Sequence, residues 1–329
     1  MKPHEFSHLE YNPYKKEYLE FMYQRQSIGL GDESTPELLG KVSKNKAFEV
    51  TWNGTDTKEM FEENYKKYPE HLQYYKDNPI TYKFNNFRFR NDFDLAPDPE
   101  LEVDLYLGCS FTMGMGLHPE DNFPYTISKH TGNKCINLGA GGHGMTLSYI
   151  NLKRFIKFYN VKNVFHYQPV YQRYYFRQPE SQKSNELSLH GVYSTTDDRI
   201  AFGNNKLFNT EYKLYTLMDW GFNSMHMGLY IDAISQVCNK HNTKYYYFSE
   251  IPPIPFPAIH QSKLHNIDYL RPGPDIDIPA RDLSHYSVNA SQYIAAWFIE
   301  VYKKYDSFTG YNSDITLKEY EQYRSKSEK

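Results

Sequence analysis

A serine placed directly after an apolar segment is the first feature of the sequence that could do chemistry. Val103–Leu107 is typical of a short buried strand, and Gly108, Cys109 and Ser110 follow it. Because Gly108 permits a tight turn, Ser110 is expected at the strand end, where a substrate can reach it. If a helix begins there, its free N–H groups and dipole favour an oxyanion beside the serine. The segment Leu107–Gly116 therefore predicts a nucleophile loop.

A serine hydroxyl needs a base before it becomes a useful nucleophile. Of the 13 histidines, His285 is the best placed, because it stands just before the amphipathic segment Ser287–Tyr302. Asp282 lies three residues earlier, a spacing that lets its carboxylate bend back and hold the second ring nitrogen of His285. Together with Ser110, these residues could act as nucleophile, base and orienting acid.

A glycine-rich segment, Asn137–Gly144, follows another apolar stretch. Such a loop can present a backbone N–H to a substrate oxygen without an intervening Cβ, which suits an oxyanion hole. An ordinary strand-to-helix turn is the alternative interpretation. Each of the three segments is a weak signal alone, but their order and their positions at strand ends reinforce one another.

Three nearby side chains have a structural interpretation that we favour over a chemical one. Cys109 precedes Ser110 on an extended turn, so its thiol is expected to point into the core and not to be the nucleophile. His143, within the glycine-rich segment, could contact a substrate, although a surface histidine is the favoured reading. His166 lies in a predicted buried strand and is expected to be a satisfied core histidine.

No metal or other cofactor is predicted. His118, Glu120 and Asp121 could be brought into one site, but nothing about their spacing requires a metal. The three cysteines, Cys109, Cys135 and Cys238, contain no close C-x-x-C pair. Neither a disulfide framework nor a cysteine-rich zinc site is therefore indicated.

Strands and helices alternate after residue 103, and these elements must position the candidate residues. The predicted strands are Val103–Leu107, Lys134–Leu138, Asn163–Gln168 and Lys244–Ser249; the predicted helices are Pro124–His130, Met145–Phe158, Glu211–Asn239 and Ser287–Tyr302. This alternation predicts a parallel sheet with helices on both faces, whose chemistry lies at the carboxyl ends of the strands. Residues 173–210 form a polar excursion, and the proline-rich residues 251–257 are expected to form a loop beside the site.

The chain divides into three parts that differ in composition and in predicted secondary structure. Residues 1–80 suggest an accessory region of short polar-aromatic helices, for example Lys15–Gln24 and Lys58–Lys76, and residues 306–329 form a polar tail. Residues 81–305 form the predicted α/β domain, which Phe84–Phe93 enters as a strand or extended segment.

Composition limits the partners. The net charge of −3 gives no basic field for nucleic acid or an anionic membrane. No run approaches the ~18 apolar residues of a membrane span, and the first residues lack the pattern of a signal peptide. We therefore expect no nucleic-acid or membrane partner and a cytoplasmic protein, or one carried in a virus particle if it is phage-derived. The oligomeric state stays open.

Aromatic residues make up 17% of the chain, and 32 of them are tyrosines. Tyrosine can bury its ring while its hydroxyl stays in water, so tyrosine-rich surfaces often serve as contact platforms. Packing in an aromatic core is the alternative, and the sequence does not decide between them.

These blocks resemble a known family. The order Gly108-x-Ser110, then Asn137-Leu-Gly-x-x-Gly142-x-Gly144, then Asp282-x-x-His285 is similar to the SGNH or GDSL hydrolase superfamily of esterases and lipases. Over residues 80–305 the resemblance implies a three-layer α/β/α sandwich of flavodoxin-like type. It also implies that Ser110 is the nucleophile, His285 the base and Asp282 its orienting acid, with an oxyanion hole at the N–H groups of Ser110 and Gly142.

Two positions depart from the family pattern. Cys109 stands where the family has the Asp of its GDS signature. The stretch from His166 to Arg173 lacks the family's third-block Asn, a side-chain oxyanion donor. Gln168 is the nearest amide that could replace it, ahead of Arg173 and His166. Such a donor is worth roughly 3 kcal/mol in the transition state, so its loss would slow turnover without abolishing it.

The leading hypothesis is a serine ester hydrolase that removes O-acetyl or other short acyl groups from a carbohydrate through an acyl-enzyme on Ser110. Acyl transfer to a sugar hydroxyl would use the same site. The alternative is a catalytically weakened glycan-binding or virion structural protein that keeps the fold. A lipase ranks lower, because the sequence shows no long apolar lid.

Overall fold

The computed structural model describes residues 47–141, 144–168, 173–177, 189–193, 220–248 and 278–305. For 173–177, 189–193 and 220–225 the description is limited to the backbone. Several predicted features lie outside these ranges: the helix Lys15–Gln24, the first part of Glu211–Asn239, the proline-rich loop 251–257 and the tail 306–329.

Residues 47–84, here called the N-terminal layer, contain two short strands and two helices. Strand β1 (Phe48–Val50) pairs antiparallel with β2 (Tyr82–Phe84). Between them lie α1 (Lys58–Lys67) and α2 (Pro69–Asp77). The predicted single helix Lys58–Lys76 is therefore wrong. Pro69 has no backbone N–H to continue the first helix, and it stands instead at the start of the second, a position that suits its fixed φ.

A four-stranded parallel sheet forms the centre of the fold. Its strands are β3 (Asp98–Leu107), β4 (Lys134–Asn137), β5 (Tyr159–Tyr167) and β8 (Lys244–Phe248), in the order β4-β3-β5-β8. The predicted α/β class and parallel sheet are confirmed. Within the predicted polar excursion, β6 (Arg173–Arg177) and β7 (Leu189–Tyr193) form a separate antiparallel pair. The sequence analysis missed this pair.

Five helices accompany the sheet within the described ranges: α3 (Ser110–Met113), α4 (Phe123–Thr131), α5 (Met145–Phe155), α6 (Trp220–Lys240) and α7 (Val288–Lys304). A 3₁₀ turn covers Pro119–Asp121. Ser287 caps α7 by accepting a hydrogen bond from the N–H of Ala290 at 3.1 Å, which fixes where this helix begins after His285. No helix in the described part of the chain is both long and apolar enough to cross a bilayer.

Two hydrophobic clusters lie against the sheet. One contains Leu105 and Val164 with residues of α5 and α6, and the other contains Tyr106 and Phe165 with residues of α4 and α7. Because Leu105 and Tyr106 are neighbours on one strand, their side chains point to opposite faces. The helices α5 and α6 therefore cover one face of the sheet, and α4 and α7 cover the other.

A third cluster joins the N-terminal layer to the nucleophile loop. It combines buried residues of α2 and β2 with Met113 and Met115, and Ile278 and Leu283 pack against it. The layer thus lies against both segments that supply the candidate catalytic residues.

Many tyrosines of the described residues lie in the core. The largest fully buried side chains include Tyr75, Tyr82, Tyr106, Tyr167, Tyr245, Tyr246 and Tyr247. The alternative of an aromatic core is confirmed for these positions. Among the described residues, the exposed large aromatics are Tyr74, Tyr125 and Tyr305.

Candidate active site

Ser110 is the first residue of α3, at the carboxyl end of β3. The turn that leads to it requires glycine at position 108. Gly108 has φ +146°, and a Cβ there would lie 2.1 Å from Thr112 Oγ1 and 2.7 Å from the carbonyl oxygen of Tyr167. The chain can therefore turn tightly enough to begin a helix at Ser110, whose side chain keeps a small exposed fraction of 6%.

Of the three sequence-predicted residues, His285 lies within hydrogen-bond distance of both Ser110 and Asp282. His285 Nε2 is 2.8 Å from Ser110 Oγ, and His285 Nδ1 is 2.7 Å from Asp282 Oδ2. The chain separation between the serine and the histidine is 175 residues. Folding thus produces the serine, histidine and carboxylate arrangement that acyl-transfer enzymes use.

Asp282 is buried and accepts four hydrogen bonds on its side chain. Oδ2 receives the hydroxyl of Thr55 at 2.6 Å in addition to His285 Nδ1. Oδ1 receives the backbone N–H groups of Ser284 and His285 at 3.0 and 3.2 Å. Burial alone would raise the pKa of Asp282, but the charge and hydrogen bond of His285, with the other donors, lower it below its usual value. The carboxylate is therefore held in its charged form beside the imidazole.

Aromatic rings pack around His285. The ring centroid of Phe111 lies 5.1 Å from that of His285, and Phe111 stacks on Tyr286 at 4.0 Å. The hydroxyl of Tyr286 lies 2.6 Å from that of Tyr167, on the neighbouring strand end. These contacts fix the segment that carries the histidine and leave its side chain only 11% exposed.

Amide side chains hold the nucleophile turn. The carbonyl of Thr112 accepts hydrogen bonds from Asn122 Nδ2 at 2.8 Å and from Asn137 Nδ2 at 2.7 Å. Further along, the buried guanidinium of Arg90 donates to the carbonyls of Gly114 and Leu117. Hydrogen bonds to the carbonyl oxygens of Thr112, Gly114 and Leu117 therefore stabilise the turn.

The glycine-rich segment lies directly against this turn. A Cβ on Gly139 would lie 2.7 Å from the backbone nitrogen of Met113, so only glycine fits there. The N–H of Gly139 donates to Asn137 Oδ1 at 2.9 Å, which couples this loop to the amide that holds Thr112. Gly142, the predicted oxyanion donor, and His143 lie outside the described residues.

Gln168 directly follows β5 at the same end of the sheet. Its N–H donates to the carbonyl of Phe248 at 2.9 Å, and its side-chain Oε1 accepts a hydrogen bond from the hydroxyl of Tyr247. This bond leaves the NH₂ group as the end of the amide that can donate to something else.

His166 is buried in β5, as predicted, and its Nδ1 lies 2.9 Å from the hydroxyl of Tyr245. The expectation that its hydrogen bonds are satisfied is met at one ring nitrogen only, since Nε2 has no hydrogen-bond partner within the described residues. Burial lowers the pKa of His166 to about 3, so the ring stays neutral near pH 7.

The remaining candidates do not take part in the hydrogen bonds that join Ser110, His285 and Asp282. Cys109 is fully buried, as predicted. The ring of His118 packs against Tyr74 and Tyr75, and its Nε2 lies 3.1 Å from the carbonyl of Asn78. Among the described residues, no group of three or more His, Cys, Asp or Glu side chains is arranged to hold a metal ion.

A polar cavity of about 570 Å³ lies at the opposite end of the sheet. Its lining includes Asn160, Lys162 and Lys244, at the starts of β5 and β8. Ser110, Asp282 and His285 do not border it. The cavity is therefore separate from the triad.

Sequence reasoning missed two residues that support the acid. Thr55 donates to Asp282, and Asp56 pairs with Arg281, the residue just before Asp282. The one available signal was the Asn53-Gly54 dipeptide, a common turn sequence, which indicated a loop and not its contacts.

No protein-family model matches the chain, and no curated protein shows significant sequence similarity to it. The geometry of this site is therefore the basis for a functional proposal.

Proposed function

We propose that the protein is a serine ester hydrolase that removes short acyl groups, with O-acetyl groups on a carbohydrate as the preferred substrate class. The observation that carries this proposal is the continuous line from Ser110 Oγ to His285 Nε2 at 2.8 Å and from His285 Nδ1 to Asp282 Oδ2 at 2.7 Å. A base within hydrogen-bond reach of the hydroxyl, itself oriented by a carboxylate, is what a serine needs to attack an ester.

The proposed reaction has two halves. In the first, Ser110 Oγ attacks the ester carbonyl while His285 Nε2 takes its proton, and the imidazolium then gives that proton to the leaving alcohol. In the second, His285 takes a proton from water, the resulting hydroxide attacks the acyl-serine, and the acid is released as Ser110 regains its proton. Asp282 stays ionised throughout and stabilises the imidazolium.

The oxyanion of each tetrahedral intermediate needs donors. The N–H of Ser110, at the start of α3, and the N–H of Gly142 are the proposed backbone donors. We assign the side-chain donor to the NH₂ group of Gln168, because the hydroxyl of Tyr247 holds Oε1 and so orients the amide. This assignment gives Gln168 the part that an Asn plays in the third block of SGNH hydrolases.

The same geometry supports membership of the SGNH or GDSL superfamily, with a flavodoxin-like α/β/α arrangement and an accessory N-terminal region. A parallel sheet with a serine at the carboxyl end of β3 and a histidine just before the last described helix is consistent with that family. Cys109, in place of the family's Asp, is buried beneath the turn and does not contribute to the triad.

The carbohydrate substrate class is proposed from the tyrosine content of the chain. Many of the described tyrosines pack in the core. Exposed rings such as that of Tyr74, 39% exposed, remain available to stack on sugar faces. A panel of esters therefore has to decide the substrate class.

The test is acid release from acetylated sugars, an aryl acetate and a long-chain aryl ester, with wild type and Ser110→Ala compared. We expect acetate esters to be hydrolysed and Ser110→Ala to lose at least about 10³-fold in kcat. Ser128→Ala, which removes a buried hydroxyl on α4, is the matched control and keeps the activity. Equal turnover by Ser110→Ala would overturn the proposal.

The second candidate, a glycan-binding or structural protein, is favoured by the Gln at the position of the third-block Asn. It predicts that wild type hydrolyses no ester in the panel, while acetylated glycans bind wild type and Ser110→Ala with equal Kd. An active oxyanion donor predicts instead that Gln168→Ala lowers kcat by about 10²-fold.

A further inference from the structure

A tight turn in the N-terminal layer reaches the acid of the triad. The backbone N–H groups of Asn53 and Asp56 each donate to the other's carbonyl, at 2.9 and 3.1 Å, and Gly54 takes the left-handed φ of +62° that closes the turn. Thr57, the next residue, caps α1 by accepting from the N–H of Met60 at 3.1 Å. The position of Thr55 is therefore fixed on both sides.

Two adjacent residues of this turn bind two adjacent residues before the histidine. Thr55 Oγ1 donates to Asp282 Oδ2 at 2.6 Å, and Asp56 pairs with the guanidinium of Arg281 at 2.6 Å. The pair of Asp56 and Arg281 is almost completely buried, and Tyr82 donates a further hydrogen bond to Asp56. Any movement of this turn relative to Arg281 and Asp282 would therefore break the buried ion pair between Asp56 and Arg281.

The same turn touches the nucleophile loop. Asn53 Nδ2 lies 3.7 Å from Met115 Sδ, and a Cβ on Gly54 would lie 2.6 Å from Met115 Cε. One turn from outside the sheet thus contacts the segments that carry both the serine and the acid.

We propose that Thr55 is a positioning residue of the triad, whose hydroxyl holds the carboxylate of Asp282 in the orientation that His285 needs. This inference rests on the proposed function. Thr55 shares Oδ2 with His285 Nδ1, so its hydroxyl fixes the rotation of the carboxylate about its side chain. The hydroxyl of Thr55 donates to Asp282, and Thr55 therefore acts through that residue.

The hydroxyl of Thr55 also favours the charged form of Asp282, since its hydrogen bond lowers the pKa of that carboxyl. The charged groups that act on Asp282 are His285 and Asp56, and Arg281 pairs with Asp56. Removal of the Thr55 donor is therefore expected to raise the pKa of the Asp282 carboxyl.

The test compares Thr55→Val, which removes the hydroxyl at nearly constant volume, with Thr55→Ser, which restores it. For Thr55→Val we expect kcat on an aryl acetate to fall about 10-fold with little change in KM, as for loss of one hydrogen bond to a charged group. The acid limb of the pH profile, in which kcat/KM falls as the pH is lowered, is expected to move to higher pH. Thr55→Ser is expected to restore both kcat and the position of the acid limb.

Thr57→Val is the matched control, because it removes a hydroxyl two residues away that caps α1 and does not contact the triad. A merely structural role for Thr55 predicts that Thr55→Val and Thr57→Val lose thermal stability alike while the acid limb stays in place. That result, or an unchanged kcat in folded Thr55→Val, would overturn the inference.

A readout without turnover separates this inference from the proposed function. The proton shared between His285 Nδ1 and Asp282 Oδ2 can be followed by proton NMR, with its resonance assigned by its loss in His285→Asn. We expect Thr55→Val to change the chemical shift of this proton and Thr55→Ser to restore it, even in a protein that hydrolyses no ester. An identical chemical shift in wild type and Thr55→Val would refute the positioning role, whereas a changed chemical shift without esterase activity would refute only the proposed function.

Discussion

The acid side of the site, residues 281–286, is held by charged groups, whereas the nucleophile side, residues 108–117, is held through its carbonyl oxygens. On the acid side, Arg281 pairs with Asp56 at 2.6 Å and Asp282 with His285 at 2.7 Å. On the nucleophile side, Asn122 and Asn137 donate to one carbonyl. The guanidinium of Arg90 lies over the ring of Tyr82 and donates its hydrogen bonds to backbone oxygens of the turn.

This difference matches what each side has to do. A base gains and loses a proton during each cycle, so a fixed charge beside it stabilises its protonated form. A nucleophile turn has to keep one shape, and amide hydrogen bonds hold a shape without titrating. We therefore expect variants of the acid side to change pH behaviour and variants of the nucleophile side to change stability and kcat at all pH values.

The largest effect is expected from Arg281→Met, because it leaves the buried Asp56 carboxylate without its cation. Loss of one partner of a buried ion pair costs about 3–5 kcal/mol in the free energy of unfolding, to be measured by urea denaturation. The double variant Asp56→Leu/Arg281→Met should recover much of that loss. A loss below about 1 kcal/mol for Arg281→Met would mean that the pair does not organise the acid side.

The pH dependence of stability tests the nucleophile side, because one titratable group lies beside it. His166 pairs in register with Leu107, on the strand that leads to Ser110. Burial lowers its pKa in the folded protein to about 3, below the ordinary value of 6.5. Between about pH 3 and pH 6.5, His166 therefore binds a proton in the unfolded chain but not in the folded protein. Stability should fall as pH drops below 6.5, with a slope from this group of about 1.4 kcal/mol per pH unit.

The check for this slope is urea denaturation of wild type and His166→Leu between pH 7 and pH 4.5. His166→Leu should flatten the dependence, whatever its stability at pH 7. Parallel curves for the two proteins would show that His166 does not titrate as its burial requires.

Asn137→Ala tests the nucleophile side. It removes the acceptor of the Gly139 N–H and one of the two donors to the Thr112 carbonyl, which keeps the donor from Asn122. We expect a loss of about 2 kcal/mol in the free energy of unfolding and a lower kcat, with the acid limb of activity unchanged. A displaced acid limb in Asn137→Ala would remove the distinction between the two sides.

The smallest effect is expected from Thr57→Ala, which removes the N-cap of α1. Loss of such a cap costs about 1 kcal/mol in stability. Because Thr57 contacts no residue of the triad, kcat per folded molecule should stay at the wild-type value. A lower kcat at full folding would show that the site depends on the whole N-terminal layer and not on the turn that carries Thr55.

The sequence predicted the residues of the site better than it predicted their supports. Ser110 and His285 stand beside regular elements, a strand end and a helix start, so their meeting followed from the geometry of a parallel sheet. Thr55 lies in an irregular turn 227 residues from Asp282, and no periodicity or motif links the two. A contact of that kind is decided by tertiary packing, which a local pattern does not contain.

The fold shows the same division. The sequence predicts the parallel strands because apolar runs and helical periodicity are local properties. The main error of these predictions is strand length: β3 begins at Asp98 and not at the predicted Val103. The pairing of β1 with β2 was missed, because three-residue strands are too short to show alternation. The roles of Gly142 and Gln168 in the oxyanion hole stay predictions.

The proposed function requires Ser110 to be an activated nucleophile. The most direct measurement is reaction with a fluorophosphonate probe, followed by intact mass and peptide mapping, with Ser110→Ala as control. We predict one adduct on wild type, located on Ser110, and none on Ser110→Ala. A folded wild type that stays unlabelled would contradict the account and favour a binding or structural protein.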